Sequence, residues 1–176
     1  MPNSETGDKM RIMGIDPGTA ITGFGLLEHE GSRLRLLEYG VIRTEPGVPD
    51  AERLLQIHRE VGALLKNYRP EAIAVEELFF NKNSRTVLAV GQARGVVMLA
   101  AAQADLRVEE YTPLQVKMAV VGYGRAEKRQ VQEMVKVLLG LDHLPKPDDA
   151  ADALAVAICH AHSRRKYNLR TCRMHT

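Results

Sequence analysis

"GIDPGTAITGFG", residues 14–25, decides how the rest of the chain is read. Ile12, Met13 and Ile15 make a short apolar strand that stops on an acid, Asp16. Pro17 and Gly18 follow at once, and Gly23 and Gly25 space a second apolar run. Asp, Pro and Gly together form turns for conformational reasons alone. A carboxylate at the end of a buried strand, where the backbone is least crowded, also suits a site for a metal ion or a phosphate. The stretch taken alone leaves both readings open.

Working outward, residues 11–16, 21–29 and 33–43 read as three strands joined by short Gly-, Thr- and Ser-marked links, the pattern of an antiparallel meander. The period then changes. Leu54, Ile57, Val61, Leu64, Leu65 and Tyr68 recur at helical spacing between Asp50, a candidate N-cap, and Pro70. "EAIAVEE" (71–77) is apolar on both faces, as a buried strand is. A helix is expected over 84–103, a strand at "RVEEY" (107–111), and a helix opened by Thr112 and Pro113. Residues 125–139 carry Val131, Met134, Val135 and Leu138 on one stripe, and the last helix is expected to run from Asp148 to His162. Three strands followed by alternating helices and strands predict an α/β fold: a mixed five-stranded sheet with helices on both faces. Functional clefts of open α/β sheets lie at the carboxyl ends of strands, where Asp16 sits.

The chain has 176 residues, 45% of them apolar and 26% charged, enough for one domain that buries roughly 70% of its unfolded surface. Its two cysteines, Cys159 and Cys172, form no CxxC pair. That excludes a disulfide framework or zinc ribbon and fits a reducing cytoplasm. "MPNSETGDKM" is polar and does not read as a signal peptide, and the longest apolar run, Val96–Ala102, is too short to span a bilayer. The domain is therefore placed at 11–162, between a flexible tail (1–10) and a basic one (163–176). The net charge of +2 is small. The distribution is more telling: Lys117, Arg125, Lys128, Arg129 and Lys136 cluster in 111–140, and Arg164, Arg165, Lys166, Arg170 and Arg173 end the chain without an acid. Such clusters contact phosphates, or simply form solvated helix faces.

If Asp16 holds a metal, it needs partners. Glu76 and Glu77 close a strand, where neighbours point to opposite faces, so at most one of them easily joins Asp16; a salt bridge or an exit into solvent at the strand end is the other reading. Asp149 and Asp152 are three apart on one helix face, amid alanines small enough to let that helix press on the sheet. Acids in a first helical turn also serve capping and the helix dipole. Asp148 lies four before Asp152, so spacing does not choose between Asp148 and Asp149. Four carboxylates with no His or Cys suit Mg²⁺ or Mn²⁺. Two such ions roughly 3.5–4 Å apart activate water and stabilise the leaving oxygen in phosphodiester cleavage.

The segments "GIDPGTAITGFG", "IRT", "AVEELFFNKN", "GQARGV", "QVKMAVVGYGRAEKRQV" and "DAADALAVAICHAH", in this order over residues 11–162, resemble the RuvC family of Holliday-junction resolving endonucleases, which have the ribonuclease H-like fold. The resemblance implies catalytic, metal-binding acids at Asp16, Glu76, Asp149 and Asp152, with Lys117 and Lys128 beside them holding phosphates or transition-state charge. It implies two Mg²⁺ or Mn²⁺ ions per active site. It places Phe79 against bases at the crossover, and Asn81, Lys82, Asn83, Arg85 and Arg125 on DNA. It also implies a homodimer, with the "GQARGVV" helix as a dimer element, that nicks two strands of like polarity in a four-way junction, and a partnership with the RuvA–RuvB branch-migration complex. No membrane role is implied.

Two other classes are weighed. Actin-like kinases and ATPases share a strand–Asp–x–Gly–Thr loop, but two such domains enclose ATP and this chain has room for one. A junction-binding protein without catalysis would carry four acids that repel DNA. Among nucleases of the same fold, "FNKN" and "QVKMAVVG" favour the RuvC pattern over smaller YqgF-type resolvases.

Overall fold

The computed structural model describes residues 9–78 and 84–172, with residues 84–86 and 164–172 as helical backbone. Three long strands, β1 (Met10–Asp16), β2 (Ile21–Glu30) and β3 (Arg33–Arg43), form the expected antiparallel meander. Helix α1 (Asp50–Tyr68) returns the chain to β4 (Ala72–Glu76), which pairs parallel to β1. Helix α2 (Ser84–Gln103) leads to β5 (Val108–Tyr111), parallel to β4. Then follow α3 (Pro113–Val120), α4 (Lys128–Leu139) and α5 (Asp148–Cys172). The sheet order is β3-β2-β1-β4-β5. Because β4 runs parallel to the central β1, with Val75 opposite Ile15, the ends of the two strands, with Asp16 and Glu76, lie side by side.

Each face of the sheet has its own core. Met13, Ile15, Leu26, Ile73 and Val75 pack on α1 and α2 through Ile57, Val61, Ala93 and Val97. Ile12, Leu27 and Ala74 pack on α5, which α3 and α4 cover in turn. Alanines of α5 allow a close approach, and Gly14 makes it possible: a Cβ there would overlap the carbonyl oxygen of Ala153. Among the described residues no helix is long and apolar enough to cross a membrane.

Several boundaries differ from expectation. Met10, read as part of the tail, is the first residue of β1, and Lys9 ion-pairs with Glu28 at 3.2 Å. Asp50 is the first residue of α1, with Pro49 as N-cap. Helix α4 starts at Lys128 instead of 125, because a reciprocal capping box between Glu127 and Gln130 satisfies its first backbone donors. Arg125 therefore lies in the preceding turn. Thr112 caps α3 as expected, with Pro113 at its first position. Helix α5 runs on to Cys172, well past His162. The two histidines do not end it. His160 is buried and its Nδ1 meets the Tyr111 hydroxyl at 2.8 Å, while His162 Nδ1 meets the Ala119 carbonyl at 2.8 Å. Both tie the middle of α5 to β5 and α3.

Candidate active site

Three elements bring the acids together. Asp16 ends β1, Glu76 ends the adjacent β4, and Asp149 and Asp152 lie in the first turns of α5. Asp16 pairs across the sheet with Gly23, and a Cβ on Gly23 would overlap the backbone of Asp149. The absent side chain lets the start of α5 sit over the end of β1. Glu76, Asp152, Lys117 and Lys128 line one cleft of about 210 Å³, with Pro113 and Val131 among its apolar walls. Glu77 lies beyond the strand, exposed, with its backbone N–H donating to the Tyr111 carbonyl at 2.8 Å. Of the two adjacent glutamates, Glu76 is the one that faces the cleft.

The electrostatics follow from this crowding. Asp16 is pushed up to about 7, first by burial and then by the charges of Asp152, Asp149 and Glu76, with Lys128 opposing. Glu76 is raised by burial and by Asp152, against Lys117 and Lys128. Asp152 is raised by burial, although Lys128 opposes this. Acids arranged in this way ionise together only when cations share the site. Their donors are all carboxylate oxygens, which fits a hard divalent ion. Among the described residues no three His, Cys, Asp or Glu side chains are already gathered into a metal-holding group. Asp152 is turned instead to Lys128.

Lys128 pairs with the acids at the start of α5. Its Nζ lies 2.9 Å from Asp152 Oδ2 and 3.3 Å from Asp148 Oδ2. Burial lowers the ammonium's pKa, but those two carboxylates outweigh it and leave it raised. Gln132 Nε2 donates to Asp148 at 3.0 Å, and together with Lys128 holds that acid below the usual carboxylate range. Asp148 thus faces α4 and the lysine, whereas Asp149 contributes to the field on Asp16. The spacing ambiguity between them is a difference of direction in space.

Phe79, Asn81, Lys82 and Asn83 lie outside the described residues, and Arg85 is described only as backbone at the start of α2. Arg125 is exposed in the turn before α4. Arg94 is a site residue that sequence reasoning missed. From the middle of α2 it donates to the Glu76 carbonyl at 2.7 Å and pairs with Glu110 at 2.7 Å. It lies within "GQARGV", a segment that the resemblance assigns to a dimer contact.

A 3-2-1-4-5 sheet with acids at the ends of its central strands and at the start of a helix crossing them defines a nuclease of ribonuclease H-like fold. A family model described as Crossover junction endodeoxyribonuclease RuvC matches residues 12–160. The chain is 65% identical over 153 residues to the crossover junction endodeoxyribonuclease RuvC of Pelotomaculum thermopropionicum (87% of this chain, 93% of the relative). It is 62% identical over 154 residues to that of Desulfitobacterium hafniense (88% and 93%). The solved structure of Thermus thermophilus RuvC in complex with Holliday junction substrate superposes with a TM-score of 0.86 at 43% identity, over 89% of this chain and 96% of that one. The chain belongs to the RuvC family of crossover junction endodeoxyribonucleases. Membership implies a nuclease dependent on a divalent metal ion.

Proposed function

We propose that this chain resolves four-way DNA junctions as a homodimer, nicking two strands of like polarity and leaving 5′-phosphate and 3′-hydroxyl ends. Glu76 and Asp152 in one cleft, with Asp16 buried in the field of Asp152, Asp149 and Glu76, carry this reading. In it, the four carboxylates would hold two Mg²⁺ or Mn²⁺ ions, which would supply an activated water and charge for the leaving oxygen. Asp16 lies centrally, in the field of the other three acids. Lys128, which pairs with Asp152 and Asp148 at the cleft, would supply positive charge to the scissile phosphate. Lys117, which also lines the cleft, holds a phosphate oxygen.

Phe79 stacks on bases at the crossover, a sequence-tolerant contact worth ~1–3 kcal/mol per base. Asn81, Lys82, Asn83, Arg85 and Arg125 hold the DNA arms. Residues 11–162 act as the nuclease domain, and the basic residues after 162 add affinity without sequence preference. Helix α2 supports a dimer contact: Leu88 and Leu99 are large exposed apolar residues on its outer face, and nothing lies within 4 Å of a Cβ built on Gly95 between them. That stripe lets a second copy approach closely. A cytoplasmic site of action and a partnership with RuvA–RuvB complete the proposal.

The test is cleavage of a synthetic four-way junction against a linear duplex of the same sequence, in Mg²⁺, Mn²⁺ or EDTA. Metal-dependent nicking of the junction with an intact duplex is expected. Junction binding without cutting in either metal contradicts the proposal and favours an architectural role.

A further inference from the structure

Arg94 is a mid-helix arginine that is only 9% exposed. A buried guanidinium without partners costs several kcal/mol, so its contacts are part of the fold's design. Nη1 donates to the backbone carbonyl of Glu76 and Nη2 to Glu110 Oε1, each at 2.7 Å. Glu76 and Glu110 belong to neighbouring strands, β4 and β5, near their carboxyl ends. A planar guanidinium presents its donors at fixed angles, so it sets the spacing of two acceptors, as an ammonium cannot. Five residues earlier on α2, the carbonyl of Ala89 accepts a hydrogen bond from Thr19 Oγ1 at 2.8 Å, in the turn that follows Asp16. Helix α2 is thereby tied to the chain beside both strand-end acids.

The approach is from behind. Arg94 lies on the α2 side of the sheet, whereas the Glu76 carboxylate opens into the cleft between α3, α4 and α5. Arg94 therefore does not touch DNA in that cleft. Glu76 is the last residue of β4, and beyond it the Glu77 N–H bond to Tyr111 continues the ladder. The peptide that aims Glu76 is held on one side by that bond and on the other by Arg94.

We infer that Arg94 is a positioning residue: it fixes the Glu76 backbone so that the carboxylate meets Asp16 and Asp152 in the geometry that holds a divalent ion. This rests on the nuclease reading above. Partners that orient metal ligands change metal affinity or activity by about 10–100-fold when removed. The experiment measures Mn²⁺ binding by calorimetry and electron paramagnetic resonance, melting temperature, junction affinity in EDTA, and the Mg²⁺ concentration for half-maximal cleavage. The variants are Arg94→Met, Arg94→Lys and Glu110→Gln.

Arg94→Met is expected to weaken Mn²⁺ binding by about 10–100-fold and to raise the half-maximal Mg²⁺ concentration in proportion, with junction affinity in EDTA within about twofold. Arg94→Lys, which keeps the charge beside Glu110 but holds one acceptor, should fall between it and the wild type. If Arg94→Met does not fold, Arg94→Lys carries the comparison. Glu110→Gln, which leaves the carbonyl contact in place, should change Mn²⁺ affinity less than about threefold. Wild-type Mn²⁺ affinity in the folded arginine variants overturns the proposal. So does an equal loss in Glu110→Gln, which would reduce Arg94 to an ion-pair brace. Failure of the nuclease reading appears elsewhere, as a wild-type protein that neither binds Mn²⁺ nor cuts junctions.

Discussion

Gly23 lies opposite Asp16 in the β1–β2 ladder, and the place a side chain would take there is filled by the backbone of Asp149. One missing Cβ thus registers the first turn of α5 against the end of β1, and with it the distance between acids from opposite ends of the sequence. Replacing Gly23 by alanine forces backbone apart rather than the flexible end of a side chain. Overpacking of this kind costs ~1–3 kcal/mol. Gly23→Ala should lower the melting temperature by several degrees and reduce junction cleavage at least tenfold in the folded protein, with junction binding in EDTA retained. Calorimetry and a cleavage time course check both.

Asp16→Asn should abolish cleavage yet leave junction binding intact, because it removes a charged ligand without adding bulk. Gel-shift and cleavage assays on one junction separate the two. Retained cleavage would falsify the role of Asp16.

The raised pKa of Asp16 also makes a stability prediction. Its value moves from 3.8 to about 7 on folding, so between those values the native state binds more protons than the unfolded chain. Stability therefore falls as pH rises through that window, by at most something on the order of 4 kcal/mol. Glu76 and Asp152 are raised as well and act in the same direction. In EDTA the wild type should lose melting temperature from pH 5 to pH 8, and Asp16→Asn should lose less. Mg²⁺ should restore the wild type at pH 8 and have little effect on the variant. At limiting Mg²⁺, cleavage should rise with pH through about 7. A melting temperature in EDTA that does not change with pH contradicts the crowding of the acids.

Asp148 and Asp149 are neighbours with different tasks. Asp149 acts on Asp16, and Asp148 holds Lys128. Asp149→Asn should lower cleavage at least 10³-fold, whereas Asp148→Asn should lower it less than about tenfold, with Lys128→Met between them. Single-turnover rates at saturating Mg²⁺ decide the order, and equal losses at 148 and 149 would remove the distinction.

The outer stripe of α2 predicts assembly. Leu99→Arg places a charge on an exposed apolar position, Leu99 being 53% exposed, so the subunit fold should survive. Sedimentation should show monomers at concentrations where the wild type is a dimer, and paired nicks should give way to unpaired ones. An unchanged dimer would put the interface on another face.

Much of this was legible from local pattern. Apolar periodicity, the continuous apolar run at 71–77 and the Thr112–Pro113 helix start located the five strands and five helices of the described residues, and the acids at strand ends and at the α5 start pointed to one site. What was not legible depends on contacts distant in sequence. The sequence pattern ends α5 at His162, yet His160 and His162 make tertiary contacts and the helix continues. The start of α4 is set by the Glu127–Gln130 box, which apolar spacing does not register. Asp148 and Asp149 are indistinguishable by spacing because their difference is one of direction around a helix. Arg94 reads as an ordinary helix charge until folding places the Glu76 carbonyl beside it.

The most direct measurement is strand-resolved cleavage of a four-way junction with each of its four strands labelled in turn, by the wild type and by Asp16→Asn in Mg²⁺. Symmetric nicks in two strands of like polarity are expected from the wild type, with products that ligase reseals, and none from the variant. Nicks scattered over all four strands, or the same nicks from Asp16→Asn, would contradict it.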